Sequence, residues 1–156
     1  MQVVHARCAA LDLGKDEVVA AVRLQEESNV RRTCRTFRTT RHDLLELAAW
    51  LENLAITHVV MEATGSYWIA VWHVLEGRFD LMLANPAHIK GLPGRKTDVN
   101  DATWMADLHA HGLVRGSFVP PAQIEALREL TRTRKQLVRE VARHTLRIQK
   151  ILDRAD

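Results

Sequence analysis

The chain has 156 residues, 47% hydrophobic and 26% charged, with a formal net charge of +3, the profile expected of a globular domain. No apolar run approaches the roughly 20 residues that span a bilayer, and the start lacks the charge, apolar stretch and cleavage site of a signal peptide. Two cysteines, Cys8 and Cys34, are too few for a disulfide framework and fit no metal knuckle, so a cytoplasmic setting is expected.

Residues 3–12 are mostly apolar, "EVVAAVRLQ" (17–25) is rich in valine, and "VRRTCRTFR" (30–38) alternates β-formers with cations. Three such runs with short polar breaks predict an antiparallel meander. The first, nearly continuously apolar, is expected at the centre of a sheet, and the third at its edge, where arginines meet water. "RHDLLELAAWLENLAI" (41–56) changes to helical period, with Leu44, Leu47, Leu51 and Leu54 on one stripe. A short buried strand follows over 57–63, then a helix over 66–77 with Ser66 as N-cap and Gly77 as stop. Residues 79–85 predict another strand, closed by Pro86. A loop rich in Gly and Lys runs over 90–97, and "DVNDATWMADLHAHG" (98–112) predicts a helix ended by Gly112.

Pro120 and Pro121 mark a boundary, and Pro suits the first turn of a helix. From Ala122 onward no Gly or Pro interrupts the chain. Leu127, Leu130, Leu137, Val141, Ile148 and Ile151 follow steps of three and four, with Arg134 and His144 filling the two gaps. This is a heptad seam with two polar breaks, on a helix about 50 Å long. Such a seam requires a partner helix, from a second copy or from further chain. The order of elements predicts an α/β, ribonuclease-H-like mixed sheet flanked by helices over 1–119, followed by a coiled-coil arm over 120–156.

Positive charge gathers in "RRTCRTFRTTR" (31–41) and between Arg128 and Arg154, a distribution that suits a polyanion such as nucleic acid or, equally, a solvated face. On the arm, Arg134, Lys135, Arg139 and Arg143 are the candidate nucleic-acid contacts. Carboxylates stand out by position. Asp12 lies near the end of the first strand in "ALDLGK", Glu62 ends the fourth in "VVMEATG", and Asp98 and Asp101 open the last domain helix in "RKTDVND". If the first and fourth strands are neighbours, Asp12 and Glu62 emerge side by side, and the helix from Asp98 lays its first turn across that edge. Carboxylates so gathered require neutralisation, and hard oxygen ligands suit Mg²⁺ or Mn²⁺, which would activate an attacking oxygen and stabilise the leaving oxygen of a phosphodiester. Three of these acids also have an ordinary use: Asp98 and Asp101 complement a helix dipole, and Asp12 suits a turn, whereas Glu62 between "VVM" and "ATG" has no evident structural purpose.

Arg95 and Lys96, on a loop with Gly91 and Gly94, are placed to hold phosphate oxygens. His109 and His111 form H-x-H without a third ligand and are expected at the surface. Tyr67, Trp68 and Trp72 could stack on bases, but the spacing of four between the tryptophans favours core packing.

"LDLGK", "VVMEATGSYW", "NPAHIKGLPGRKTDVNDATWMADL" and the following "G…VP" together resemble the N-terminal half of the DEDD transposases of the insertion-sequence-one-ten family, over essentially the whole chain. The resemblance implies a RuvC-like domain whose divalent-metal ligands and catalytic acids fall on Asp12, Glu62, Asp98 and Asp101. It further implies a second domain with a catalytic serine, homo-oligomers, DNA as substrate and, in some members, a structured guide RNA encoded by the element. Ser28, Ser66 and Ser117, the serines present, do not match that nucleophile's setting, so the serine-bearing domain is expected to be absent and this fragment is not expected to complete transposition alone. Three other readings compete: a Holliday-junction resolvase, a nucleic-acid-binding and oligomerisation module without catalysis, and a sugar-kinase-like ATPase suggested by "LDLG". The last would need a second phosphate loop and far more chain.

Overall fold

A computed structural model describes residues 2–26, 29–63, 65–91 and 101–155. The chain divides into two compact units, Met1–Phe118 and Val119–Asp156. The first contains β1 (Arg7–Leu13), β2 (Glu17–Glu26), β3 (Asn29–Arg38), α1 (Arg41–Asn53), β4 (His58–Glu62), α2 (Tyr67–Leu75), β5 (Asp80–Ala84), α3 (Pro86–Lys90) and α4 (Asp101–Ala110). The second contains α5 (Ala122–Leu152). No helix among the described residues is long and apolar enough to cross a membrane.

The five strands form one sheet in the order β3-β2-β1-β4-β5. β2 runs antiparallel to β1 and β3, whereas β4 is parallel to both β1 and β5. This is the ribonuclease-H-like mixed sheet that the element order predicts. β1 occupies the centre because Cys8, Ala9, Ala10 and Leu11 have no surface that tolerates water; all are fully buried. β3 lies at the edge, where Arg31, Arg35 and Arg38 are exposed.

Strand alternation sorts the side chains between two layers. On one face Ala10, Ala21, Val60 and Ala84 form a core with Ala102, Met105 and Ala106 of α4; these small side chains let the helix approach the sheet closely. On the opposite face Phe37 meets Trp50 of α1 with ring centroids 5.6 Å apart. α1 buries Leu44, Leu47, Ala48 and Leu51 and packs against α2. Burying a Leu side chain contributes roughly 1.5–3 kcal/mol, so this stripe makes α1 a tertiary rather than a free-standing helix.

Several boundaries differ from the periodicity. Residues 3–6 do not extend β1; instead the Val4 and His5 amides donate to the Ala110 carbonyl at 2.8 and 3.1 Å. α1 ends at Asn53, where Ala55 takes a left-handed φ of 51°. Ser66 precedes α2 but makes no side-chain cap bond. Pro86 closes β5 and also opens the short helix α3, with the Asn85 side chain accepting from the Ala87 amide at 2.9 Å; proline's fixed φ suits both tasks. Gly112 turns the chain after α4 with φ +67°, and a Cβ there would lie 3.3 Å from the Val4 side chain. His109, expected at the surface, is 2% exposed, because α4 turns it inward against His5, which precedes β1, and His58 of β4.

Candidate functional site

The parallel pairing of β1 with β4 sets Leu11 against Met61. Asp12 and Glu62 are the next positions on these neighbouring strands. Alternation puts them on the face that carries Ala10 and Val60, the face packed by α4. The described part of that helix, Asp101–Ala110, opens one residue before the fully buried Ala102. Backbone turns follow both strand acids. Gly14 donates to the Glu17 carbonyl at 2.9 Å, and a Cβ on Gly14 would stand 3.1 Å from that same oxygen. After Glu62 the chain turns through Gly65 at φ +56°.

Partial burial pushes the Asp12 carboxyl above its ordinary range. The charge of Asp101 adds to the rise, and Glu17 contributes less; a backbone hydrogen bond from Leu13 opposes them. Asp12 and Asp101, 89 positions apart by number, therefore lie within each other's field, and a cation between them would relieve both the repulsion and the desolvation. The donor set is all oxygen, which fits Mg²⁺ or Mn²⁺. Among the described residues, however, no group of three or more His, Cys, Asp or Glu is arranged to hold a metal ion. Asp98, Arg95 and Lys96 lie outside the described residues.

Two clusters were not foreseen. Arg23 of β2, 4% exposed, donates through Nε to Asp107 Oδ1 at 3.0 Å, and Arg32 of β3 reaches the same oxygen at 2.9 Å. Asp107 thus ties α4 across two strands. An arginine inside "AAVRLQ" is the signal, since a cation in a buried strand demands a partner. Beside this network Cys8, its thiol pushed up to about 11 mainly by burial, donates to the Ala106 carbonyl at 3.6 Å; a thiol so placed is inert.

The second cluster stacks His5 against His58 and His109, with centroids 3.9 and 4.8 Å away. His58 approaches Asp80 at 3.5 Å, whereas neither ring nitrogen of His109 has a hydrogen-bond partner among the described residues. Burial, then the neighbouring charges of His5 and His58, lowers the pKa of His109 to about 4. No spacing in the sequence joins these three positions.

Trp68 and Trp72 are half-buried against each other, edge to face, with centroids 6.0 Å apart; Tyr67 is exposed. Arg35 lies over both Phe37 and Trp50, which holds one cation of the edge strand flat. On α5, Arg134, Lys135, Arg139 and Arg143 are all exposed.

The family model described as "DEDD_Tnp_IS110: Transposase" matches residues 9–155. No curated protein matches the chain in sequence. Among solved structures, Thermus thermophilus RuvC is similar at 13% identity and TM-score 0.44, over 74% of this chain and 85% of its own. Fowlpox virus resolvase, solved with Holliday junction DNA, is similar at 10% identity and TM-score 0.46, over 67% of this chain and 98% of its own. An Aquifex aeolicus member of the Ppx/GppA family is similar at 12% identity and TM-score 0.38, with 53% of this chain covering 36% of that one. At these scores the likenesses carry no inference about activity.

Proposed function

The chain belongs to the transposase family of DEDD, insertion-sequence-one-ten type, and from that premise we propose that the β1–β4–α4 edge is the metal-dependent phosphodiester centre of a DNA transposase. One observation carries this reading: Asp12 and Glu62 lie near the C-terminal ends of adjoining strands, on the face packed by α4 with Asp101 in its first described turn, and the charge of Asp101 helps to raise the Asp12 carboxyl. Asp12, Glu62, Asp98 and Asp101 would hold Mg²⁺ or Mn²⁺. The bound ions would supply Lewis-acid activation of the attacking oxygen and charge stabilisation at the leaving oxygen.

The protein's own part is positional. The Leu11–Met61 register sets the two following positions at one level, and the buried Ala102, Met105 and Ala106 pack α4 on the sheet face that carries Ala10 and Val60. Arg95 and Lys96 would hold the scissile phosphate, and Arg134, Lys135, Arg139 and Arg143 would follow nucleic-acid backbone. A guide RNA encoded by the element is a further expectation from the resemblance, and pairing with a second copy through α5 is one from its exposed apolar seam.

Titration calorimetry with Mn²⁺ tests the centre. Asp12→Asn and Asp101→Asn should each abolish binding while the domain stays folded; unchanged affinity in both would defeat the assignment. The cationic face of α5 favours a second reading, a nucleic-acid-binding and oligomerisation module. DNA affinity indifferent both to Mg²⁺ and to Asp98→Ala would support that module. Strong symmetric nicking of four-way junctions would point to a resolvase instead.

A further inference from the structure

α5 runs for 31 residues and leaves its apolar stripe uncovered: Leu127 is 57% exposed, Leu130 68%, Val141 66% and Ile151 67%. We infer that this stripe is built for an antiparallel copy of itself, in a register centred on Arg139, with Arg134 of each chain facing the partner's His144. This deepens the proposed pairing through α5 by fixing its direction and alignment.

The reason lies in where the two polar breaks fall. Labelling the seam as a heptad puts Leu127, Arg134, Val141 and Ile148 at position a, and Leu130, Leu137, His144 and Ile151 at position d. These positions are symmetric about Arg139. Turning a second helix end for end around that point sets Leu127 against the partner's Ile151 and Leu130 against the partner's Ile148. It also sets Leu137 against the partner's Val141, and every a meets a d. Apolar then meets apolar throughout, and the breaks meet each other.

An imidazole nitrogen can accept from a guanidinium N–H, so Arg134 and the partner's His144 satisfy one another, twice per dimer. A parallel copy in register does the reverse: it stacks Arg134 on the partner's Arg134, two buried cations with no counter-charge, and His144 on the partner's His144. The helix macrodipoles also oppose each other in the antiparallel pair and reinforce in the parallel one.

The flanks agree with this register. On one side of the dyad Val138, 56% exposed, meets the partner's Val138. On the other, Glu140 meets the partner's Glu140, the like-charge contact of the arrangement. Each of these carboxylates already accepts from Gln136 Nε2 at 3.0 Å, and on an exposed flank such a contact costs little. The cations Arg128, Arg132, Lys135, Arg139 and Arg143 lie on the outer face of the helix, clear of the seam; in this register Lys135, Arg139 and Arg143 remain the nucleic-acid contacts of the arm, while Arg134 passes to the seam.

A spin label at Arg128→Cys tests the direction, in a full chain with the exposed Cys34 changed to Ser; Cys8 is buried and unreactive. In the antiparallel register the two labels are separated by about 33 Å along the axis, at about 1.5 Å per residue. Distances within about 20 Å would mean parallel helices, overturning the inference while leaving self-pairing intact. Absence of dipolar coupling with a monomeric mass by light scattering would overturn both.

A charge exchange provides the second test. Arg134→Glu combined with His144→Arg creates two opposite-charge contacts in the antiparallel pair, which should associate about fivefold more tightly. In a parallel pair the same change stacks like on like, and weaker association would sink the inference.

Discussion

At Asp12, burial and the charge of Asp101 act in the same direction, both favouring the protonated acid in the folded chain. A carboxyl whose folded pKa is raised binds more protons folded than unfolded, so stability falls as pH rises from the ordinary carboxylate range through the raised value. In EDTA at pH 7, Asp12→Asn should therefore raise Tm, and at pH 3 the difference should vanish. A lower Tm at pH 7 would contradict the placement of Asp101 beside it. His109 works in the opposite sense. Its folded pKa of about 4 lies below the unfolded value of about 6.5, so the unfolded chain binds the extra proton. Stability should drop as pH falls between these values, by on the order of 3 kcal/mol. His5, His58 and Asp80 share that environment and will shape the curve. His109→Leu should flatten it in denaturant titrations across the range; an unaltered slope would remove His109 as the cause. Asp12 was legible as an acid interrupting an apolar strand. The burial of His109 was not, because it depends on contacts with His5 and His58 that no local pattern encodes.

At the scale of single elements, α4 depends on both small side chains and one ion network. Ala102 and Ala106 allow close approach to the sheet, and Asp107 neutralises the buried Arg23. Asp107→Ala leaves that guanidinium desolvated and uncompensated, at a cost of about 3 kcal/mol, readable as a lower urea midpoint. The double variant Arg23→Met with Asp107→Leu should recover most of the loss; a single variant as stable as the parent would show the network to be inert. The strands and α1 were legible because the periods of two and of 3.6 are local properties of the chain. α3 was missed because Pro86 signals the end of a strand and the start of a helix equally well.

For the whole molecule, the contrast is between a domain that buries its apolar groups and a helix that does not. β1 and α1 are sealed in the first unit, whereas the stripe of α5 is exposed along its length. Leu137→Glu with Val141→Glu should make the chain monomeric by light scattering, with the circular dichroism of the sheet retained. Persistence of the oligomer would locate self-association elsewhere.

The sequence by itself determined the order of the strands and of every helix but α3, the heptad seam and the membership of a transposase family, because each is written in local spacing or in a contiguous motif. Tertiary structure alone decided that β4 lies beside β1 at the Leu11–Met61 register, that Asp101 reaches the field of Asp12, and that Arg23 and His109 turn inward. Those outcomes depend on which remote faces pack together, and packing is a property of the assembled chain rather than of any segment of it.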